Sequence, residues 1–508
     1  METDKIPGGT LRITLADASQ YVVIALFYII VTKTNALTQT DIGTLSLLSF
    51  LASGFALFTT LALPTALTKF TSESLGKNQA EEAKAIQKTV TKIVVTTSIA
   101  GFIVMIFSSQ LISQYFWNNP EYVMILILNF IYAILFNLIA ICNSTFQALY
   151  LFGKMATITI MYIVTSRVIA ITLALFNMGV AGVIIGYIVG LTIALALAIN
   201  FLRGKLPKTT KKMPFKPLLS YSFPLFLGSI TGLILNWADI VLITSLIGDL
   251  SLTGVYSITI SSVSALAILY TPMMTTIFPA LSIRNGLQKP ESISNILETT
   301  SRYLIYILLP SCIGLAIIAP TTLTFFYGPS YTKGATSLSI LSITTIIIAL
   351  VSLFTTTLTA MGRTRQILKI NIITATASIL ALVALVPLFQ TTGAALARLT
   401  TQAIAISLAI YILKKEIKIR LDKEALWKST IATTAIIPIL LTIELVLSPK
   451  LTITQTLIIE ILTGATIYLF ALYILKALTN QDFYLLKQAL PKPLTKYVNI
   501  IERIIVRH

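Results

Sequence analysis

The chain has 508 residues, of which 37 are basic and 19 acidic, for a formal net charge of +18. Hydrophobic residues make up 56 % of it and charged residues 11 %, with mean hydropathy +0.88, whereas soluble domains run at roughly 45–50 % and about 25 %. A surface so poor in charge does not stay dissolved. A string of soluble domains, a disordered chain and a nucleic-acid binder are therefore excluded, and lipid is the solvent for most of the molecule. Cys142 and Cys312 lie inside apolar runs, which argues against a disulfide framework. The first apolar run, Tyr21 to Val31, follows Asp17 and Gln20 with no small-residue cleavage pattern behind it, so no cleavable signal peptide is expected.

A hydrocarbon core about 30 Å thick takes about 20 apolar residues per helix. Apolar runs bounded by charge, proline or glycine predict fourteen spans: 13–33, 42–66, 89–113, 121–147, 156–177, 180–202, 218–247, 253–281, 302–322, 335–360, 367–388, 393–413, 428–448 and 452–477. Runs this continuous exclude a β-barrel, whose strands alternate over about ten residues. The basic residues count the spans independently. With the N-terminus inside, 32 of the 37 fall on inner loops and ends, from Lys5 and Arg12 through Lys69 to Lys92, Arg203 to Lys216 and Lys414 to Lys428, to Lys476 to Arg507. Only Lys33, Lys333 and Lys450 fall outside, and only Arg167 and Arg398 lie well within spans. Such alternation sets an N-in, C-in orientation. It also spreads the positive charge along inner loops beside anionic headgroups. Trp117 and Trp427 fall at opposite interfaces, as anchors do. Beyond Asn480, residues Tyr497, Val498, Ile501, Ile504 and Ile505 recur at helical spacing and predict an amphipathic helix on the inner surface.

The two halves repeat. Gly43 opens the second span and Gly254 the eighth, 211 residues apart. Gly153 and Gly362 precede the fifth and eleventh, 209 apart, and Gly182 and Gly393 open the sixth and twelfth, again 211 apart. Six helices per copy is an even number, so both copies cross the membrane in the same direction, a parallel repeat about an axis along the normal. This predicts six-helix lobes at 1–205 and 218–415, joined by a basic cytoplasmic linker at 206–217. An extra helix pair at 428–478 and a cytoplasmic tail at 479–508 follow. Transporters so built hold substrate between bundles that rock. Small residues at span starts also serve plain close packing of helices.

Several segments together resemble a known superfamily, the multidrug/oligosaccharidyl-lipid/polysaccharide exporters, and within it the polysaccharide-flippase branch. They are Ile42-Gly43 leading into Leu63-Pro64-Thr65-Ala66-Leu67-Thr68-Lys69-Phe70, then Leu218-Leu219-Ser220-Tyr221-Ser222-Phe223-Pro224-Leu225 with Asp239 and Gly254-Val255-Tyr256. Phe326-Tyr327-Gly328-Pro329-Ser330-Tyr331 and Gly393-Ala394-Ala395-Leu396-Ala397 complete the set. The resemblance implies an all-α polytopic membrane protein of fourteen helices, two six-helix lobes forming a V around a central cavity, plus two extra C-terminal helices. It implies movement of an oligosaccharide linked to a polyprenyl or dolichyl phosphate or diphosphate from the inner to the outer leaflet, at the cell membrane. Family flippases often have a strongly cationic cavity. This chain has two basic residues well within spans, so either the head group carries less charge or loop-proximal residues such as Lys69 and Arg284 reach in.

Charges at bilayer depth cost at least about 2.5–3.5 kcal/mol each on insertion scales, which makes each a functional candidate. Arg167, near the middle of the fifth span, is suited to gripping phosphate through its planar fork, with a structural ion pair as the plain alternative. Asp239 and Asn236, three apart on the seventh span, share a helix face. A carboxylate there serves as a coupling-ion site, as a holder for an arginine, or as a fixed pair. Arg398, five residues into the twelfth span, is expected to snorkel to the outer surface. Asp17 and Gln20 share a face of the first span, which lines the cavity in the resembling family, and helix-start polarity accounts for them equally well. Glu444 and Glu460 fall in the extra pair, where they line a lipid-tail groove or pair with each other's helix. Pro64, Pro224, Pro272, Pro310 and Pro438 are expected to kink their spans.

Enzymatic chemistry has no footing. His508 is the only histidine, and there is no Cys/His metal spacing, no Walker loop and no Gly-x-Ser-x-Gly elbow. No catalytic residue, metal site or cofactor is expected, with a coupling cation, H+ or Na+, left open. Expected partners are membrane lipids and the lipid-linked oligosaccharide, not nucleic acid. A monomer is expected, contact with glycan-assembly enzymes being left open. Besides a flippase, a cation-coupled drug or metabolite antiporter of the same superfamily is the alternative, and a membrane-embedded polysaccharide polymerase the third reading.

Overall fold

A computed structural model describes residues 5–211, 213–420 and 422–477. The tail helix expected at 479–508, and the side chain of Asp17, lie outside the described residues. Among the described residues every regular element is a helix, as a chain in lipid requires, because each backbone N–H must find its acceptor within the segment. Eleven of these helices are long and apolar enough to cross a membrane, and a shorter apolar helix runs over Ser19–Lys33. The protein is a multi-pass membrane protein. By packing, the chain divides into two compact units, residues 1–268 with 367–404, and residues 269–366 with 405–508.

The first unit contains α1 (Lys5–Lys33), α2 (Gln39–Thr60), α3 (Leu63–Gly76), α4 (Ala80–Trp117), α5 (Tyr122–Ala148), α6 (Phe152–Leu173), α7 (Gly179–Leu202), α8 (Phe215–Ile247) and α9 (Leu250–Ser264). A capping box starts α2, with the Thr38 hydroxyl accepting from the Asp41 amide and the Asp41 carboxylate accepting from Thr38. The expected span 42–66 is split. Leu61 and Ala62 both take left-handed backbone, at φ 50 and φ 54, and Pro64, which has no N–H to donate, sits in the first turn of α3.

Residues Phe152–Leu202 form one 51-residue apolar stretch, which as a straight helix would be about 77 Å long, more than twice the bilayer core. It folds back instead at Asn177, whose φ is 62, a left-handed turn that asparagine tolerates. The resulting hairpin is closed by small residues. A Cβ on Gly186 would lie 2.5 Å from the Ala170 nitrogen, and one on Gly190 would lie 2.5 Å from the Ser166 Cβ. The 50-residue stretch Thr364–Leu413 also breaks, at Gln390, with φ 51 and ψ −128. Past that turn, a Cβ on Gly393 would lie 2.1 Å from the Leu385 carbonyl oxygen.

Helices from both sequence halves meet within this unit. A Cβ on Gly43 would lie 2.1 Å from the Leu250 carbonyl oxygen, and one on Gly254 would lie 1.9 Å from that of Gln39. Each of these positions is also 3.0 Å from the other glycine's nitrogen. The contact is reciprocal, as a local two-fold relation demands.

The second unit is built from α10 (Thr271–Gly286), α11 (Pro290–Ile317), α12 (Ala319–Tyr327), α13 (Ala335–Ala360), α15 (Lys423–Thr442) and α16 (Ile453–Ile474); the Thr364–Leu413 stretch is α14, whose residues 367–404 belong to the first unit. The expected span 253–281 is not one helix: α9 ends at Ser264, and α10 starts with Pro272 in its first turn. Pro310 and Pro438 lie inside α11 and α15. Ala432, Ile436 and Leu440 of α15 pack with Leu457, Tyr468 and Leu472 of α16 and with Tyr306 and Ile318 in one buried cluster. Tyr468 ties the cluster together, donating to the Tyr306 carbonyl at 2.8 Å.

Candidate functional site

Arg167 sits on α6 one residue beyond Ser166, which is locked beneath Gly190 of α7. That packing aims the guanidinium at aromatic rings. Its carbon lies 4.9 Å from the Phe27 ring centroid on α1 and 4.2 Å from that of Tyr187 on α7. The rings brace one another, with Phe27 6.4 Å from Tyr187 and Tyr132 5.7 Å from Tyr187. The Tyr132 and Tyr162 hydroxyls meet at 3.2 Å. Arg167 has no ion pair and no hydrogen bond among the described residues. Stacking on rings stabilises a cation by about 0.5–2 kcal/mol. Among the described residues it leaves the N–H edge of the guanidinium, the part that grips phosphate or carboxylate, without a partner.

Asp239 is held differently. It is 4 % exposed, and its Oδ2 lies 2.9 Å from Arg398 and accepts the Tyr256 hydroxyl at 3.1 Å. Its Oδ1 accepts the Ile240 amide at 2.9 Å. Arg398 thus does not snorkel. The fold-back at Gln390 brings its half of α14 onto α8, and the nearest counter-charge wins over distant solvent. A small cavity between Leu235, Asp239, Ser378, Leu382, Arg398 and Gln402 adjoins the pair. With both carboxylate oxygens engaged, a coupling cation at Asp239 would have to displace the guanidinium.

Asn236 does not join this pair. It is exposed, and its Nδ2 donates to the Gly232 carbonyl of its own helix at 2.8 Å. Gln20 is exposed on α1. Lys69 lies 4.1 Å from the Tyr221 ring centroid at the start of α8, and Arg284 is exposed in the last turn of α10. Sequence reasoning missed Phe27, Tyr187 and Tyr256 as site residues. The signal for Tyr256 was present, since a tyrosine in a fully apolar span needs a partner for its hydroxyl.

Residues 36–336 match the family described as polysaccharide biosynthesis protein, which is more than half of the chain. The chain belongs to this family. Among relatives of known description, this polysaccharide biosynthesis protein is 25 % identical over 243 residues to the Haloferax volcanii protein named "Probable flippase AglR". The match covers 47 % of this chain and 50 % of that one, so it spans about half of the relative's length. Among solved structures it is similar to the lipid II flippase MurJ in an inward closed conformation. The TM-score is 0.74 at 16 % identity, over 91 % of this chain and 97 % of the other. It is also similar to an inward-facing multidrug resistance transporter of the MATE family and MOP superfamily, with TM-score 0.63 at 12 % identity over 78 % and 96 % of the two chains. The chain thus has the helical fold of these solved structures.

Proposed function

We propose that the protein is a flippase that carries a polyprenyl- or dolichyl-(di)phosphate-linked oligosaccharide from the inner to the outer leaflet of the cell membrane by alternating access. The observation that carries this reading is Arg167, a guanidinium stacked on Phe27 and Tyr187 with its hydrogen-bonding edge unpartnered among the described residues. A phosphate group is the ligand such an edge suits, through paired charge-assisted hydrogen bonds. Membership of a polysaccharide biosynthesis family, and likeness over half its length to a protein named as a flippase, support the same reading. Fourteen crossings with both ends inside fit it as well. Each of the two stretches of about 50 residues folds back into two helices, and the apolar helix Ser19–Lys33 adds one more to the eleven.

The cation-coupled antiporter stays as the second reading, because the multidrug transporter fold is also matched. The two separate on Arg167. Arg167→Ala should abolish flipping of a lipid-linked oligosaccharide in proteoliposomes, and Arg167→Lys should recover part of it, keeping the charge but losing the fork. Both variants should remain folded, because no carboxylate among the described residues is orphaned and the lost ring stacking is worth about 0.5–2 kcal/mol. A stable Arg167→Ala protein that flips at the wild-type rate would sink the phosphate role.

A further inference from the structure

The extra helix pair buries a carboxyl group that no neighbour satisfies. Glu460, in the middle of α16, is 1 % exposed, and neither of its carboxyl oxygens has a hydrogen-bond partner. It lines a cavity of about 430 Å³ whose other walls include Ile318, Ile436, Leu440 and Gly464. The hydroxyls lining the same cavity are committed elsewhere. Tyr306 donates to the Ala477 carbonyl at 3.0 Å, Tyr468 to the Tyr306 carbonyl at 2.8 Å, and Ser311 to the Ile307 carbonyl at 2.7 Å.

One charged group acts on Glu460, and it has the same sign. Glu444 lies in the helical turn Ile443–Leu447 after α15, which packs against α16 as α12 does, and the Glu444 Oε2 accepts the Thr321 hydroxyl of α12 at 2.6 Å. Neither carboxyl is paired with a lysine or arginine among the described residues. Of the cations on the helices that pack against α16, Lys423 is exposed in the first turn of α15 and two others are paired with carboxylates. Arg302 of α11 lies 3.6 Å from Asp422, and Lys428 of α15 lies 2.5 Å from Glu424. The α12 segment, Ala319–Tyr327, carries no charge.

Two adjacent carboxylates in an apolar cavity do not both ionise. Glu444 has a hydroxyl donor in Thr321. Glu460 has none, so a proton on Glu460 supplies the missing donor and directs it at Glu444. A metal ion would need more oxygen ligands than this pair and Thr321 offer. We propose that Glu444 and Glu460, with Thr321, form a proton-binding site in the C-terminal helix pair, holding one proton between the two carboxyls. The site does not rest on the flipping proposal, and its test needs no transport.

The test is infrared pH-difference spectroscopy of the full chain in lipid nanodiscs, read at the carbonyl band of a neutral carboxylic acid. Wild-type protein at neutral pH should show the band and lose it on alkaline titration. Glu460→Gln should lack it at neutral pH, and Glu444→Gln should shift its frequency, because the partner of the acid proton has changed. Sodium chloride in place of choline chloride should leave it unaltered. Absence of the band in wild-type protein overturns the proposal without any variant. So does a band unchanged in Glu460→Gln or in Glu444→Gln, or one that sodium removes at fixed pH, which would make a metal cation the occupant.

Discussion

Asp239 and Arg167 meet the same problem, a charge at membrane depth, with opposite solutions. Asp239 is neutralised by Arg398 at 2.9 Å and by Tyr256. Removing one member of such a pair leaves an uncompensated buried charge. Asp239→Ala should therefore lower stability by about 3–5 kcal/mol, and adding Arg398→Ala should restore much of the loss. Thermal unfolding in detergent checks this, and a double variant no more stable than the single one would contradict it. That both arginines are unusual is plain from the sequence, since they interrupt apolar runs. Which way each points was not readable there. Phe27, Tyr187 and Asp239 are remote from them along the chain and arrive only when the α6–α7 and α14 hairpins close.

At the level of elements, the spans that apolar length defines and the turns that glycine marks were legible. The expected spans 335–360 and 218–247 correspond to α13, Ala335–Ala360, and α8, Phe215–Ile247. The breaks expected after residues 177 and 388 fall at Asn177 and Gln390. Expected spans failed where helix ends depend on proline and on backbone that hydropathy does not register, at Leu61–Ala62 before Pro64 and at Ser264–Thr271 before Pro272. Helices also run on past the apolar window into polar surroundings, as α11 does from Pro290. The Gly43–Gly254 contact was legible as a repeat but not as a touching pair. It admits no side chain, because a Cβ at Gly43 would sit 2.1 Å from the Leu250 oxygen. Gly43→Ala should force α2 and α9 apart and cost about 1–3 kcal/mol, read as a lowered midpoint of thermal unfolding. A midpoint equal to wild type would show that the two helices part freely.

For the molecule as a whole, the topology and the function stand on separate evidence. The orientation rests on the alternation of basic-rich and basic-poor loops. A reporter fused after Lys208 should read cytoplasmic, and one inserted near Ser330 should read external. A cytoplasmic signal at Ser330 would break the fourteen-crossing assignment. The proposed function rests on the family, on the transporter fold, and on the Arg167 guanidinium stacked on Phe27 and Tyr187. The measurement that tests it most directly is reconstitution of the purified chain into vesicles carrying a fluorescent polyprenyl-phosphate-linked oligosaccharide in both leaflets, with the outer pool quenched by an impermeant reagent. A flippase predicts that protein-containing vesicles lose nearly all fluorescence as the inner pool emerges, while empty vesicles and Arg167→Ala vesicles lose only the outer half. Wild-type vesicles that quench no further than empty ones, and instead move a soluble cationic drug, would contradict it.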